Sequence, residues 1–352
     1  MPLLSAAERD RIKSLLCDFA DKSPPFSGAP WLLPWMALYG RSEDESRVVR
    51  LDVGSGAMLA PMMIRPVKRK RLCWRELRFL GSGDDSQDEV ATEYPDVSLD
   101  GVTVPQAVDA LTAWLRADRG WDLLAAEAVE PHSVLAQALT RAGAFRRVNG
   151  RRYRVPLPGQ FEGWLDTLSA TARARFRRTL RQVGERGLRL EPRLEADALE
   201  QVASLHQQHW HKRGQPGAFA SQRFREFHRA LLANGGLEAR LSGLFHGALP
   251  LALWYGFDIK GTRYYYQSGI DAQAAEGLPA GEALHLLMIR DAISSGLAGY
   301  DFMRGDEQSW KARYGAMPAD LEDWILPGNS LRGCLLGIWL ERSSVWKRRS
   351  TG

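Results

Sequence analysis

Cysteine is scarce in this chain of 352 residues: there are three, Cys17, Cys73 and Cys334, odd in number and far apart. No Cys-x-x-Cys pair and no Cys/His cluster occurs, so neither a disulfide framework nor a zinc site is suggested. Long apolar runs are missing too. None approaches the ~18 residues that a membrane span needs, and the start, MPLLSAAERDRIK, lacks the charged-then-apolar layout of a signal peptide. A cytoplasmic location is therefore expected. No Ser/His/Asp or Cys/His constellation points to a covalent intermediate. No Walker loop and no GxGxxG fingerprint is present. Lysine is rare beside arginine, which makes each lysine worth placing.

What is present is the balance of a globular protein: 45% hydrophobic and 25% charged residues. The length allows one large domain or two of ordinary size. The formal charge is +5 and the isoelectric point about 9.2. That favours anionic partners without naming them. Basic residues gather in RPVKRKRLCWRELR (65–78), RARFRRTLRQVGERGLR (173–189) and the terminal VWKRRS. Nucleic acid, an anionic membrane and a phosphorylated cofactor stay open, beside a plain solvated arginine face. HQQHWH brings His206, His209 and His211 close together, but no carboxylate or Cys stands at ligand spacing, so no metal is expected.

The first half reads as strands, helix, strand, helix, strand. VVRLDVGSGAMLAPMMIR (48–65) is two strands around a GSG turn. VPQAVDALTAWLRADRG (104–120) has Val108, Leu111 and Leu115 at helical spacing. WDLLAAEAV is a buried-type strand, HSVLAQALTRAG a helix ending at Gly143, and RRYRVPLP a strand. PLPGQ (156–160) reads as a linker, and the second half repeats the plan. Leu165, Leu168, Ala172, Phe176, Leu180 and Val183 form one helical stripe, with Arg173, Arg177, Arg178 and Arg181 opposite. A second helix carries Leu199, Val202, Ala203, His206, Trp210 and Arg213 on one face. That face begins apolar and ends polar, as if leaving the core for a cleft. The fold class predicted is α/β or α+β with a mixed sheet. Two halves with one element order suggest a tandem duplication.

Three stretches carry chemistry. GLPAGEALHLL (277–287) is a loop with Gly277 and Gly281 opening a helix that is apolar nearly all round. The first N–H groups of such a helix lack intrahelical partners, and its start carries roughly half a positive charge. That makes a receptor for a diphosphate; an ordinary loop-to-helix entry is the alternative. TRYYYQSG just before it sends alternate tyrosines to opposite faces. YDFMRGDEQSWKARYGA (300–316) ends a strand, turns at Gly305 and crowds Asp301, Arg304, Asp306, Glu307, Lys311 and Arg313 around Trp310 and Tyr314. In open α/β sheets ligands sit at the carboxyl ends of strands. Asp301 alternates with Phe302 there, so one of the two faces inward, and an inward Asp must be paired; Lys311 can be a point charge for an oxyanion or phosphate. A charge network that merely pins the loop is the competing reading.

These residues resemble a known family. GLPAGEALHLLMIRDAISSG followed by YDFMRGDEQSWKARYGA looks like the C-terminal signature of the CelD/BcsL-like acetyltransferase domain of the GNAT superfamily. That domain is similar to the FemABX peptidyltransferases, which pair two GNAT-like domains. ARARFRRTLRQVGERGLRL, LHQQHWHKRGQPGAF and FSGAPWLLPWMALYG extend the likeness over roughly residues 26–326. The resemblance implies tandem GNAT-like domains: 1–155, expected to be non-catalytic; 156–330, expected to be the acyltransferase; and a basic tail, 331–352. It implies an acyl-CoA co-substrate, with Gln267, Ser268 and Gly269 on the pantetheine arm and Gly277, Ala280, Gly281 and Glu282 at the diphosphate. The catalytic candidates are then Asp301, Lys311, Glu307 and Tyr266: Asp301 is the preferred general base, with Asp306, Glu307 and His285 as its neighbours, Lys311 serves an oxyanion or acceptor phosphate, and Tyr266 or Tyr314 protonates the leaving thiolate. Trp210, Arg213 and Tyr314 would line the acceptor side. The acceptor implied is an amine or hydroxyl of a small molecule or saccharide, in exopolysaccharide or cell-envelope synthesis. Aminoacyl transfer from charged tRNA, with the arginine-rich helix on RNA phosphates, and a non-catalytic scaffold are the rival readings. The tail, with apolar residues followed by Trp346, Lys347, Arg348 and Arg349, could rest on an anionic membrane, or form a C-terminal helix docked on the body.

Overall fold

The computed structural model describes residues 6–69, 72–82, 90, 92–235 and 237–342. Among them the chain forms two compact units. One runs to Gly150 and takes the chain up again from Asp320; the other is Arg151–Ala319. The expected division at 155/156 and 330 differs from these bounds at both ends.

The first unit opens with α1 (Ala6–Asp18) and α2 (Ala29–Tyr39) and continues with β1 (Glu45–Val53), β2 (Gly56–Arg69), β3 (Leu72–Phe79) and β4 (Ser98–Asp100). Then come α3 (Val104–Ala117), β5 (Leu123–Val129), α4 (Val134–Ala142) and β6 (Phe145–Pro156), whose first half belongs to this unit. β1, β2 and β3 are antiparallel neighbours, and α3 carries the chain over to β5, which lies parallel to β3. Local chemistry fixes the helix ends. Thr103 and Gln106 form a capping box at α3, while Ser133 caps α4 and Gly143 ends it at φ 82°. Val108, Leu111 and Leu115 are all buried, in a core with Met58, Leu77 and Leu124.

The second unit contains α5 (Phe161–Asp166), α6 (Ala170–Glu185), β7 (Arg189–Glu191), α7 (Ala198–His211), α8 (Gln222–Asn234), β8 (Glu238–His246), β9 (Leu249–Ile259), β10 (Thr262–Ile270), α9 (Ala280–Ser294) and β11 (Gly299–Gly305). The single helix predicted through Leu165 and Val183 is two, because Ser169 accepts the Ala172 N–H and starts a new helix. β7 to β10 form an antiparallel meander, and α9 crosses to β11, parallel to β10. The plan of the first unit, meander then helix then parallel strand, is thus repeated. α9 is buried along almost its whole length against Trp254, Tyr300 and Phe302.

A 3₁₀ turn at Trp310–Tyr314 leads to β12 (Met317–Pro327) and α10 (Leu331–Arg342). From Glu322 onward β12 pairs with β5, which returns this stretch to the first unit. Trp346, Lys347, Arg348 and Arg349 lie outside the described residues.

Candidate active site

β10 and β11 pair only over Thr262–Tyr264 and Gly299–Asp301. Beyond that point each strand runs on without the other. β11 turns away through a kink at Met303, whose φ of 57° lies in the left-handed region that a bulky residue rarely occupies. The register with β6 slips between Asp301 and Arg304 at the same place. Three side chains hold the kink. Asp301, fully buried, accepts the Met303 N–H at 2.7 Å on one oxygen and Arg152 Nε at 2.7 Å on the other. The Lys311 ammonium donates to the Phe302 carbonyl at 2.7 Å and also reaches the carbonyls of Met303 and Arg304. Burial pushes the Asp301 carboxyl upward against the opposing pull of Arg152.

These contacts bear on two expected roles. Asp301 has both carboxylate oxygens engaged, and Lys311 has a backbone carbonyl for each of its three N–H donors. Both act on the shape of β11, as positioning residues, rather than presenting a free base or a free cation. Glu307 is exposed opposite Arg151, at 3.3 Å. The Tyr153 hydroxyl anchors the turn beside it through the Asp306 and Glu307 carbonyls.

A second irregularity lies in β10, a bulge between Tyr265 and Gln267. In a regular strand Tyr265 and Ser268 would face opposite sides. The extra residue reverses the alternation, so both face α9 and their hydroxyls meet at 2.7 Å. The Tyr265 ring stands edge-on to His285 at 4.6 Å. His285 Nδ1 lies 2.8 Å from the Tyr300 hydroxyl, which accepts from Trp254 Nε1. Burial lowers the His285 pKa to about 3, which leaves the ring neutral and unsuited to act as a base near neutrality. Burial raises that of Tyr265.

Tyr266 and Gln267 go the other way. Tyr266 packs among Phe224, His228, Tyr255 and Phe257, and Gln267 lies beside His206. His206 Nε2 accepts from Trp210 Nε1 at 2.9 Å, and the Arg213 guanidinium lies over the Trp210 ring at 5.8 Å. Gly269 faces the same helix. A Cβ there would come within 2.8 Å of the Val202 carbonyl oxygen, so glycine is what lets α7 lie against β10. The expected residues therefore divide between two faces of the sheet. Ser268, Gly277, Ala280, Gly281, Glu282 and Tyr314 are on the α9 side; Trp210, Arg213, Tyr266, Gln267 and Gly269 are on the α7 side. The place where β10 and β11 part lies between these two faces.

On the α9 side, the N–H groups of Gly281 and Glu282 have no acceptor among the described residues. Gly277 and Pro279 are exposed and Gly281 is half-buried, while Ala280 and Glu282 are buried, so the helix start meets solvent along Gly277, Pro279 and Gly281. Arg186 reaches over the loop and donates to the Glu276 carbonyl at 2.9 Å. The Glu282 carboxylate itself is committed. It accepts from Thr179 Oγ1 and Arg175 Nε, each at 2.7 Å, and lies 3.6 Å from Arg313. Among the described residues, what Glu282 leaves without a partner is its backbone N–H. Tyr314 is buried between Phe176 and Phe302, its hydroxyl pushed upward by burial and by Glu282. These residues fit a diphosphate: open amides at a helix start, a guanidinium alongside, and a glycine where φ is 72°.

Sequence reasoning missed Tyr265, Arg152 and a buried square of charge behind α9. Arg263 Nε and Nη2 each reach Asp258 at 2.8 Å, and Nη1 reaches Asp291 at 2.7 Å; Arg240 bridges both aspartates at 3.0 Å. Charged residues inside otherwise apolar strands were the available signal, since a buried charge needs a partner.

Comparison with known proteins bears on the fold. Residues 170–312 match the family described as "Acetyltransferase (GNAT) domain". No curated protein matches the sequence. FemX is similar in fold over 94% of this chain and 98% of its own, with a TM-score of 0.61 at 12% identity. L-PGS from Bacillus licheniformis is similar over 97% of each chain, with a TM-score of 0.54 at 13% identity. A conserved protein of unknown function from Bacteroides thetaiotaomicron is similar over 93% of this chain and 98% of its own, with a TM-score of 0.53 at 13% identity. Residues 170–312 thus match a GNAT acetyltransferase domain, within a chain whose two units repeat one mixed α/β plan.

Proposed function

We propose that this chain transfers an acyl group from an acyl-CoA to an amine or hydroxyl of a small molecule or saccharide. The observation that carries the reading is the pair of unpartnered amides, Gly281 and Glu282, at the open start of a buried helix beside the place where two parallel strands part. When bound, the acyl-CoA supplies an already activated thioester, so the protein's main contribution is positioning, worth ~7–11 kcal/mol in favourable cases. The Gly281 and Glu282 amides and Arg186 hold the diphosphate. The edge of β10 beyond Tyr264, unpaired with β11, offers backbone groups to the pantetheine amides. The acceptor enters from the α7 side along Trp210 and Arg213. In the transfer a C–N or C–O bond forms as the C–S bond breaks, and the acceptor's proton leaves to solvent. Tyr265 is the proton donor to the departing sulfur. Its phenol stays protonated near neutrality because burial raises its pKa, and it faces α9 where Tyr266 does not.

The rival donor, charged tRNA, draws on the likeness to FemX, which is one of fold. The arginine face it would use is largely paired: Arg173 with Asp166, Arg177 with Glu162, Arg181 with Glu185 and Arg175 with Glu282. Those carboxylates would compete with RNA phosphates. The test is turnover. With acetyl-CoA and a panel of amino sugars, sugar alcohols and amino acids, free thiol should appear only when an acceptor is present, and Tyr265→Phe should slow it by about 10²-fold. Absence of thiol release together with amino-acid transfer from charged tRNA would overturn the reading.

A further inference from the structure

Helix α10 turns an apolar stripe outward. Leu331 is 88% exposed, Leu335 66%, Ile338 47% and Trp339 55%, and Cys334 between them is exposed as well. Their spacing of three and four residues places all five on one side of the helix. Arg342, exposed, continues the same side one turn further on.

This orientation is built in. The opposite side carries Gly333, Gly337 and the buried Leu340, and it seats the helix tightly on the first unit. A Cβ at Gly333 would come within 2.7 Å of the Asp122 carbonyl oxygen, and one at Gly337 within 3.1 Å of Pro327. Ser330 fixes the start of the helix, donating to Asp122 at 2.6 Å and accepting the Gly333 N–H at 2.9 Å. Rotating the stripe inward would push leucine and tryptophan side chains where glycine barely fits. The leucines, isoleucine and tryptophan therefore face away from the unit that carries them.

We infer that this face of α10 docks on an anionic lipid surface. Charge decides between occupants. From Leu331 to the end the sequence holds Arg332, Arg342, Lys347, Arg348 and Arg349 against the one acid Glu341. Two copies of this chain meeting through α10 would bring those like charges together, which opposes a symmetric dimer. An anionic bilayer attracts them while the apolar side chains enter the interface, with tryptophan at the headgroup level. No described helix is long and apolar enough to cross a membrane, so the contact is peripheral. The inference is independent of the acyl-transfer reading.

The test uses the full chain with Cys17→Ser and Cys73→Ser, so that an environment-sensitive dye reports from Cys334 alone. It is mixed with vesicles of phosphatidylcholine, or of equal parts phosphatidylcholine and phosphatidylglycerol. Sedimentation with the phosphatidylglycerol vesicles only, a blue shift of the dye, and loss of both at high salt are expected. Leu335→Asp, at a solvent-facing position, should weaken binding by about tenfold or more. Three results would overturn the inference: no binding to either vesicle, binding that Leu335→Asp leaves intact, or a dimer that Leu335→Asp disperses without any lipid binding.

Discussion

Lowering the pH from about 7 to about 5 is expected to remove roughly 5 kcal/mol from the stability of the second unit. Three histidines of that unit are buried and neutral. Burial holds His206 at about 4 and His228 and His285 at about 3, against 6.5 in an unfolded chain. For His206, a proton on Nε2 would also displace the Trp210 indole that donates there. As the pH falls below 6.5 the unfolded chain takes up protons that the folded unit refuses. The stabilisation is therefore complete above 6.5 and is lost on the way down to the folded values, at about 1.4 kcal/mol per histidine per pH unit. Asp96, in the first unit, is raised to about 6 by burial, runs the other way and offsets about 1 kcal/mol where the whole chain unfolds together. Urea unfolding at several pH values measures this directly. A midpoint that stays level between pH 7 and pH 5 would contradict it.

The second large effect concerns Arg263. Its guanidinium is fully buried and satisfies Asp258 with two hydrogen bonds, Asp291 with one and the Met288 carbonyl with another. Two arginines and two aspartates alternate in the square, so its formal charge cancels. Arg263→Met leaves two acids to one arginine in a setting with little solvent, at a cost of about 3–5 kcal/mol. The consequence reaches the site, because Asp291 and Met288 sit on α9 and Arg263 on β10. The square holds the crossing helix to the strand beside which its open amides lie. The variant should lower the unfolding midpoint in urea and also weaken acetyl-CoA binding at temperatures where it is still folded. A variant as stable as the parent would show that the square contributes no net stability.

Much of this was legible in the sequence where order is local. The stripe of Val108, Leu111 and Leu115, the GSG turn at 54–56, and the glycine-bounded start of α9 each follow from spacing or from a single residue's conformational needs. The tandem plan was legible for the same reason, since it is an order of local elements. What escaped is long-range or depends on register. Arg152 reaches Asp301 across 149 positions, and nothing near either residue announces the other. β12 leaves the second unit because of its pairing with β5, a partner nearly two hundred positions away. The bulge in β10 changes no composition. It only reverses which way side chains point, and with that Tyr265 replaces Tyr266 on the α9 side. Lys311 and Asp301 stood out as unusual residues at a strand end. Their contacts explain them by the kink they hold, which separates β11 from β10. The sequence reading put the candidate chemistry at the ends of β10 and β11, and the structure shows which side chains there hold the backbone and which face α9 or α7.

The central claim is that the open start of α9 grips a diphosphate. Calorimetric titration of acetyl-CoA into the parent and into Gly281→Glu tests it most directly. A Cβ at Gly281 meets only the Cδ1 end of Ile270, at 2.8 Å. The variant can therefore fold while placing a carboxylate where the phosphates belong, and its urea midpoint verifies that it has. The account predicts saturable binding to the parent and none to the folded variant. Equal binding to both, or none to the parent, would contradict it.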